Sequence, residues 1–181
     1  MRVWRTRPIG RGFAIDGRVR YTKMVIRQSF LFLLKEQPID KITVADICRL
    51  AEINRATFYR HYENQYGILQ ELELGLLEKV PLPQEGQGPG ETLAQSIEGL
   101  QEKKAEWRQL LVPGADSGLS AKLYQFLGER LPPRENDTDH RFLLHGLSGL
   151  LTDWMTGGFR ETAEDMTALA VQYFQDLTGR G

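Results

Sequence analysis

Two helix starts lie eleven residues apart in KITVADICRLAEINRATFYRHYENQY, Lys41 to Tyr66, and no other feature of the chain restricts its local fold so closely. Thr43 is a good N-cap, Asp46 three residues on can answer the free amides of the first turn, and Ile42 and Ile47 occupy the staple positions. This predicts a helix from Val44 to about Ala51, with Val44, Ile47, Cys48 and Ala51 as its buried stripe and Arg49 and Glu52 outside. Asn54 repeats the signature, with Ile53 and Phe58 as its staple and Phe58 and Tyr62 as an i, i+4 buried pair. Two short helices joined by so tight a turn form a helix-turn-helix.

The second helix leaves Arg55, Ala56, Thr57, Tyr59, Arg60 and His61 outside its buried stripe. Short side chains at its start let a backbone approach closely, and Arg, Thr and Tyr supply donors to phosphates and base edges. Those are the requirements of a recognition helix in a DNA major groove. Charge is distributed accordingly. Residues 1 to 62 hold thirteen Lys or Arg against five Asp or Glu, and the remainder holds ten against nineteen, which leaves a net charge of −1. A basic half opposite an acidic half suits a protein that meets a polyanion with one end only. Residues 1–20 add Arg2, Arg5, Arg7, Arg11, Arg18 and Arg20 among Gly and Pro, without helical periodicity. They read either as a flexible basic arm for a minor groove or for phosphates, or as an extension without function.

The segment T-V-A-D-I-C-x-x-A-x-I-N-R-A-T-F-Y-R-H-Y-x-N, from Thr43 to Asn64, resembles the DNA-binding domain of TetR/AcrR-type transcription regulators, and the likeness extends over roughly residues 21–77. The resemblance implies that Tyr59 touches a phosphate, that Tyr62 packs inside, and that Thr43, Asn54 and the start of the next helix at Gln65 join the recognition helix on DNA. Two positions depart from the family pattern. Glu52 stands where the turn usually has glycine, and Gln65 stands where lysine is usual.

Around this stretch the periodicity predicts an all-α chain. Val25, Ile26, Ser29, Phe30, Leu33 and Leu34 mark a helix from Thr22 to Pro38, and Ile68, Leu69, Leu72, Leu76 and Val80 mark one from Asn64 to Pro81. PLPQEGQGPG, Pro81 to Gly90, reads as a loop. Leu93, Ile97, Leu100 and Trp107 mark a helix bending near Lys104, LLVPGADSG a loop, and Leu119, Leu123, Phe126 and Leu127 a helix stopped by Pro132 and Pro133. From about Asp139 to Met155 the chain is apolar around most of a helix, and Thr162 with Asp165 caps a last helix. The expected organisation is an arm over residues 1–20, a three-helix DNA-binding head over 21–66, and a helical regulatory and dimerisation domain over 67–181.

A helix apolar on several sides needs cover on several sides, and a second copy of the chain supplies it. The expected interface comprises Leu143, Gly146, Leu147, Gly149, Leu150, Trp154, Tyr173 and Phe174; a central core helix of a monomer is the competing reading. RQLLVPGADSGLSAKLYQFL and the ending WMTGGF also resemble the C-terminal region of regulators of dihydroxyacetone kinase operons.

Catalysis finds little support. His140 and His145 are about 140° apart on a helix, which does not suit one metal, and no Walker A, nucleophile-elbow or dinucleotide pattern occurs. Cys48 is a lone core residue, and no cofactor or metal is expected. With neither a signal-peptide core nor an apolar run near 18 residues, the expectation is a cytoplasmic protein without membrane contact. The sequence therefore points to a homodimeric regulator, a repressor on a palindromic operator in double-stranded DNA, with an unidentified small-molecule or protein effector. The alternative is a helix-turn-helix-derived interaction module with weak DNA affinity that acts through a partner protein.

Overall fold

The computed structural model describes residues 11–111, 118–133 and 137–178, and every α-helix or 3-10 turn among them is joined by turns and loops, with no strand. The chain divides after Ile68 into two compact units.

The first unit begins with α1 (Arg11–Glu36), followed by a 3-10 turn (Ile39–Lys41), α2 (Val44–Leu50), α3 (Arg55–Tyr59) and the first turn of α4 (Gln65–Leu77). Its core is Ile26, Phe30, Leu34, Ile39, Ile42, Ile47, Cys48, Phe58, Tyr62 and Ile68, which includes both halves of the Ile42/Ile47 staple. Pro38 follows α1 at the expected place, because proline disfavours helical geometry in the residue before it.

α1 begins inside the segment expected as a flexible arm over residues 1–20. Residues 11–20 are helical, and the first ten lie outside the described residues. No proline lies between Pro8 and Pro38, and once the packed part of α1 is nucleated, each further residue adds one backbone hydrogen bond. The Thr22 hydroxyl donates to the Arg18 carbonyl at 2.8 Å, within the helical register. Apolar periodicity was the wrong test here, since it reports packing and this stretch of helix is exposed from Gly17 to Tyr21.

In the second unit α5 (Pro89–Glu102), α6 (Lys104–Leu110), α7 (Leu119–Gly128), α8 (Asp137–Thr156) and α9 (Ala163–Thr178) follow the body of α4. The expected bend falls at Lys103, between α5 and α6. The predicted loop ends early: Pro89 takes the first position of α5, where its missing N–H costs nothing, and the Gly88 amide donates to Glu91. Most of LLVPGADSG, residues 112–117, lies outside the described residues. α5 packs on α9 and α7 on α8. Gly99 is required where α5 meets the end of the α4 segment, because a Cβ there would stand 2.7 Å from Val80 Cγ1. α8 ends in a turn in which the Phe159 amide donates to the Trp154 carbonyl at 2.8 Å, with Gly158 and Phe159 both left-handed at φ 86° and 56°. Lys104 and Arg108 of α6 donate to the carbonyls of Phe159 and Gly158 and pin that turn.

Candidate nucleic-acid interface

The helix-turn-helix is built by caps. The Asp46 amide donates to Thr43 Oγ1 at 3.2 Å, the Thr43 hydroxyl returns a bond to Asp46 Oδ2 at 2.6 Å, and Arg49 donates to Asp46 Oδ1 at 2.8 Å. The Thr43 hydroxyl first, and Arg49 after it, hold the Asp46 carboxyl below the usual carboxylate range. α2 closes with the Ile53 amide on the Cys48 carbonyl at 3.0 Å, which requires a left-handed residue at Glu52, and Glu52 adopts it with φ 53°. α3 starts on the second cap, the Thr57 amide donating to Asn54 Oδ1 at 2.7 Å.

From this frame Thr43, Asn54, Arg55, Ala56, Tyr59 and Arg60 stand exposed, and Thr57, His61 and Gln65 are half-buried. Arg60 donates to the Thr57 hydroxyl at 3.1 Å, so two of the nine candidate residues are tied together. Phe58 is fully buried, with the Tyr59 ring edge-on to it at 5.6 Å and the Tyr62 ring at 5.9 Å. Tyr59 is 57% exposed and Tyr62 only 6%, which separates an outward aromatic from an inward one. Asn64 Oδ1 accepts from the Gly67 amide at 3.1 Å and makes Gln65 the first residue of α4, at the positive end of its dipole.

Two residues that α1 contributes to this neighbourhood escaped the sequence reading. Arg27 Nε donates to the Tyr62 hydroxyl at 3.2 Å, and Lys23 Nζ stands 5.4 Å from the centre of the Tyr62 ring. The signal was present as Arg20, Lys23 and Arg27, spaced by three and four, but it was hidden behind the apolar stripe of the same helix.

The expected dimer residues divide into two sets. Leu143, Leu147 and Trp154 are buried by their own chain, whereas Gly146 and Tyr173 are exposed and Gly149, Leu150 and Phe174 half-buried. Trp154 finds cover within its own chain: its indole N–H donates to the Glu161 carbonyl at 3.1 Å and its ring lies 4.8 Å from Phe159, edge to face. The open side of α8 forms a groove of about 450 Å³ lined by Phe142, Leu143, Gly146, Leu147, Leu150 and Tyr173, with Asp176 at its edge. Among the described residues no group of three His, Cys, Asp or Glu could hold a metal ion, and no helix is long and apolar enough to cross a membrane.

Residues 31–72 match the family described as bacterial regulatory proteins, tetR family. Over 57 residues, 31% of this chain, the sequence is 46% identical to the uncharacterized HTH-type transcriptional regulator YxbF of Bacillus subtilis (strain 168), and the match spans 15% of that protein. The fold is similar to a TetR transcriptional regulator from Streptococcus agalactiae 2603V, with a TM-score of 0.66 and 24% identity over 90% of this chain and 98% of the other. It is also similar to a TetR regulator from Rhodococcus sp. RHA1, with a TM-score of 0.54 and 15% identity over 91% and 99%, and to the dihydroxyacetone kinase operon activator DhaS, with a TM-score of 0.51 and 18% identity over 88% and 95%.

Proposed function

We propose that this chain is a DNA-binding transcription regulator of the TetR type, and that it acts as a homodimeric repressor that inserts α3 of each protomer into successive major grooves of a palindromic operator; the match of residues 31–72 and the similar fold support the first part. One observation carries the reading: α3 is capped at Asn54, opens on exposed Arg55 and Ala56, and is held from behind by buried Phe58 and Tyr62. A helix so anchored offers its first turn to base edges with little rearrangement. Arg55 is the candidate base reader, and Tyr59, Arg60 and the amides at Gln65 are candidates for phosphate.

The dimer reading rests on the open apolar groove of α8. Nothing lies within 4 Å of a Cβ built on Gly146 or Gly149, so a single protomer leaves this face uncovered. A second copy presenting the same face would bury it in an isologous contact. Cytoplasmic action, an effector and repression belong to the same proposal.

A second reading, an interaction module with weak DNA affinity, draws on Gln65, which brings no charge to a helix start suited to phosphate. A gel shift with the DNA upstream of the protein's own gene separates the two. The regulator shifts that fragment at concentrations where a scrambled fragment stays unbound, and the module shifts neither. A reporter fused to the bound fragment then gives the sign of regulation: repression is expected, and increased expression would make the protein an activator.

A further inference from the structure

We propose that the cavity between α4 and α7 binds a small apolar monocarboxylate, whose carboxylate group is taken by Arg130. This gives the effector of the proposed function a site and a chemical class, and it rests on that reading only in making the ligand an effector.

The cavity lies wholly within the second unit and holds about 400 Å³, a volume suited to a small molecule. Leu74 and Leu77 of α4, Val80 just beyond it and Phe126 of α7 give it apolar walls. Lys122, Phe126 and Arg130 follow at intervals of four along α7 and the turn that ends it, so two cations flank an aromatic along one side of the cavity.

The two cations differ in what they still need. Lys122 meets Glu73 at 2.6 Å and is neutralised there. Arg130 is more deeply buried, its side chain only 4% exposed, yet its Nη atoms donate to the neutral carbonyls of Phe126 and Val80 at 3.1 and 3.0 Å. Its Nε–H has no partner among the described residues. Its ion-pair partner Glu129 stands 3.9 Å away on a side chain 72% exposed, where water screens the attraction. Burial lowers the Arg130 pKa from its ordinary value, with Glu129 acting in the opposite direction. A buried guanidinium so placed is short of counter-charge, and a carboxylate in the cavity supplies it.

Charge and wall chemistry set the class. Arg130 offers one positive charge, and the exposed Glu78 and Glu129 on the lining oppose a second negative charge on the ligand. The leucines and Phe126 take the rest of the molecule. A single carboxylate on a hydrocarbon body meets both conditions, and inorganic phosphate meets neither.

Isothermal titration calorimetry of the full chain without DNA compares benzoate and hexanoate with their neutral amides and with inorganic phosphate. At least one carboxylate should bind at one site per protomer, about tenfold or more tighter than its amide, which lacks the charge that strengthens the hydrogen bond. Phosphate should not bind. Arg130→Met should abolish carboxylate binding, with thermal melts reporting its folding separately. Glu129→Gln, at an exposed position, removes a competing carboxylate and should tighten binding about twofold to fivefold. No binding of either carboxylate, an amide or phosphate that binds as well, or an affinity unchanged in Glu129→Gln overturns the proposal. Operator affinity with and without the tighter carboxylate at saturation then tests the effector role. A change is expected, and no change would deny the ligand that role while leaving DNA binding intact.

Discussion

Glu73 and Lys122 face each other at 2.6 Å with side chains only 1% and 12% exposed, joining α4 to α7 across 49 positions of sequence. Such a pair costs desolvation on both sides and regains it only while both partners are present. Lys122→Ala should therefore destabilise the protein by about 3 to 5 kcal/mol, because it strands a buried carboxylate whose second oxygen already has no hydrogen-bond partner. Replacing both residues by Met should cost less than Lys122→Ala alone. Urea denaturation of the two variants checks this, and a double variant weaker than the single one would contradict it.

Glu52 holds a left-handed backbone at φ 53° without being glycine. That conformation costs an L-residue with a Cβ roughly 1 to 2 kcal/mol, offset in part by the extra freedom glycine brings to the unfolded chain. Glu52→Gly should thus stabilise the head by about 0.5 to 1 kcal/mol, read from thermal melts, while base preference stays unchanged. A loss of stability would mean that the Glu52 side chain makes contacts worth more than the strain.

What was legible in the sequence was local. The caps at Thr43, Asn54 and Thr162, the left-handed turn at Glu52 and the burial of Phe58 and Tyr62 all depend on residues within a few positions of one another. Long-range partners were not legible: nothing near Tyr62 announces Arg27, and nothing near Glu73 announces Lys122. The early start of α1 was missed because its exposed residues 17–21 leave no apolar stripe to find. Trp154 shows a different limit, since an apolar residue on α8 signals burial without saying whether its own chain or another copy provides the cover.

Gly146 distinguishes those two kinds of cover. A Cβ there meets nothing within 4 Å in one protomer, so Gly146→Leu should fold at least as well as the wild type, a helical glycine being itself unfavourable. In a dimer sealed at this groove the same side chain overpacks the interface and should weaken association by about 1 to 3 kcal/mol. Sedimentation velocity across a concentration series reads both states. A wild type that is monomeric at micromolar concentration, or a variant that dimerises equally well, would rule out this interface.

Gln65 at the first position of α4 offers amides and a dipole to a phosphate, but no charge. Gln65→Lys should add one neutralised phosphate per protomer and steepen the slope of log K against log salt by about 1.8 for a dimer. Affinity at low salt should rise on operator and scrambled duplexes alike, because phosphate contacts carry no base information. An unchanged slope on both would mean that this helix start stands away from DNA.

The central claim, that α3 reads a palindromic operator, is tested most directly by footprinting the DNA upstream of the protein's own gene with the wild type, Arg55→Ala and Tyr59→Phe. The wild type should protect one discrete site with two-fold symmetry, its half-sites about one helical turn or a multiple of it apart. Tyr59→Phe should protect the same bases with affinity lowered by about 1 kcal/mol on every sequence, whereas Arg55→Ala should also relax the preference within each half-site. Protection without symmetry, no discrete site at all, or an Arg55→Ala variant with unchanged base preference would contradict the claim.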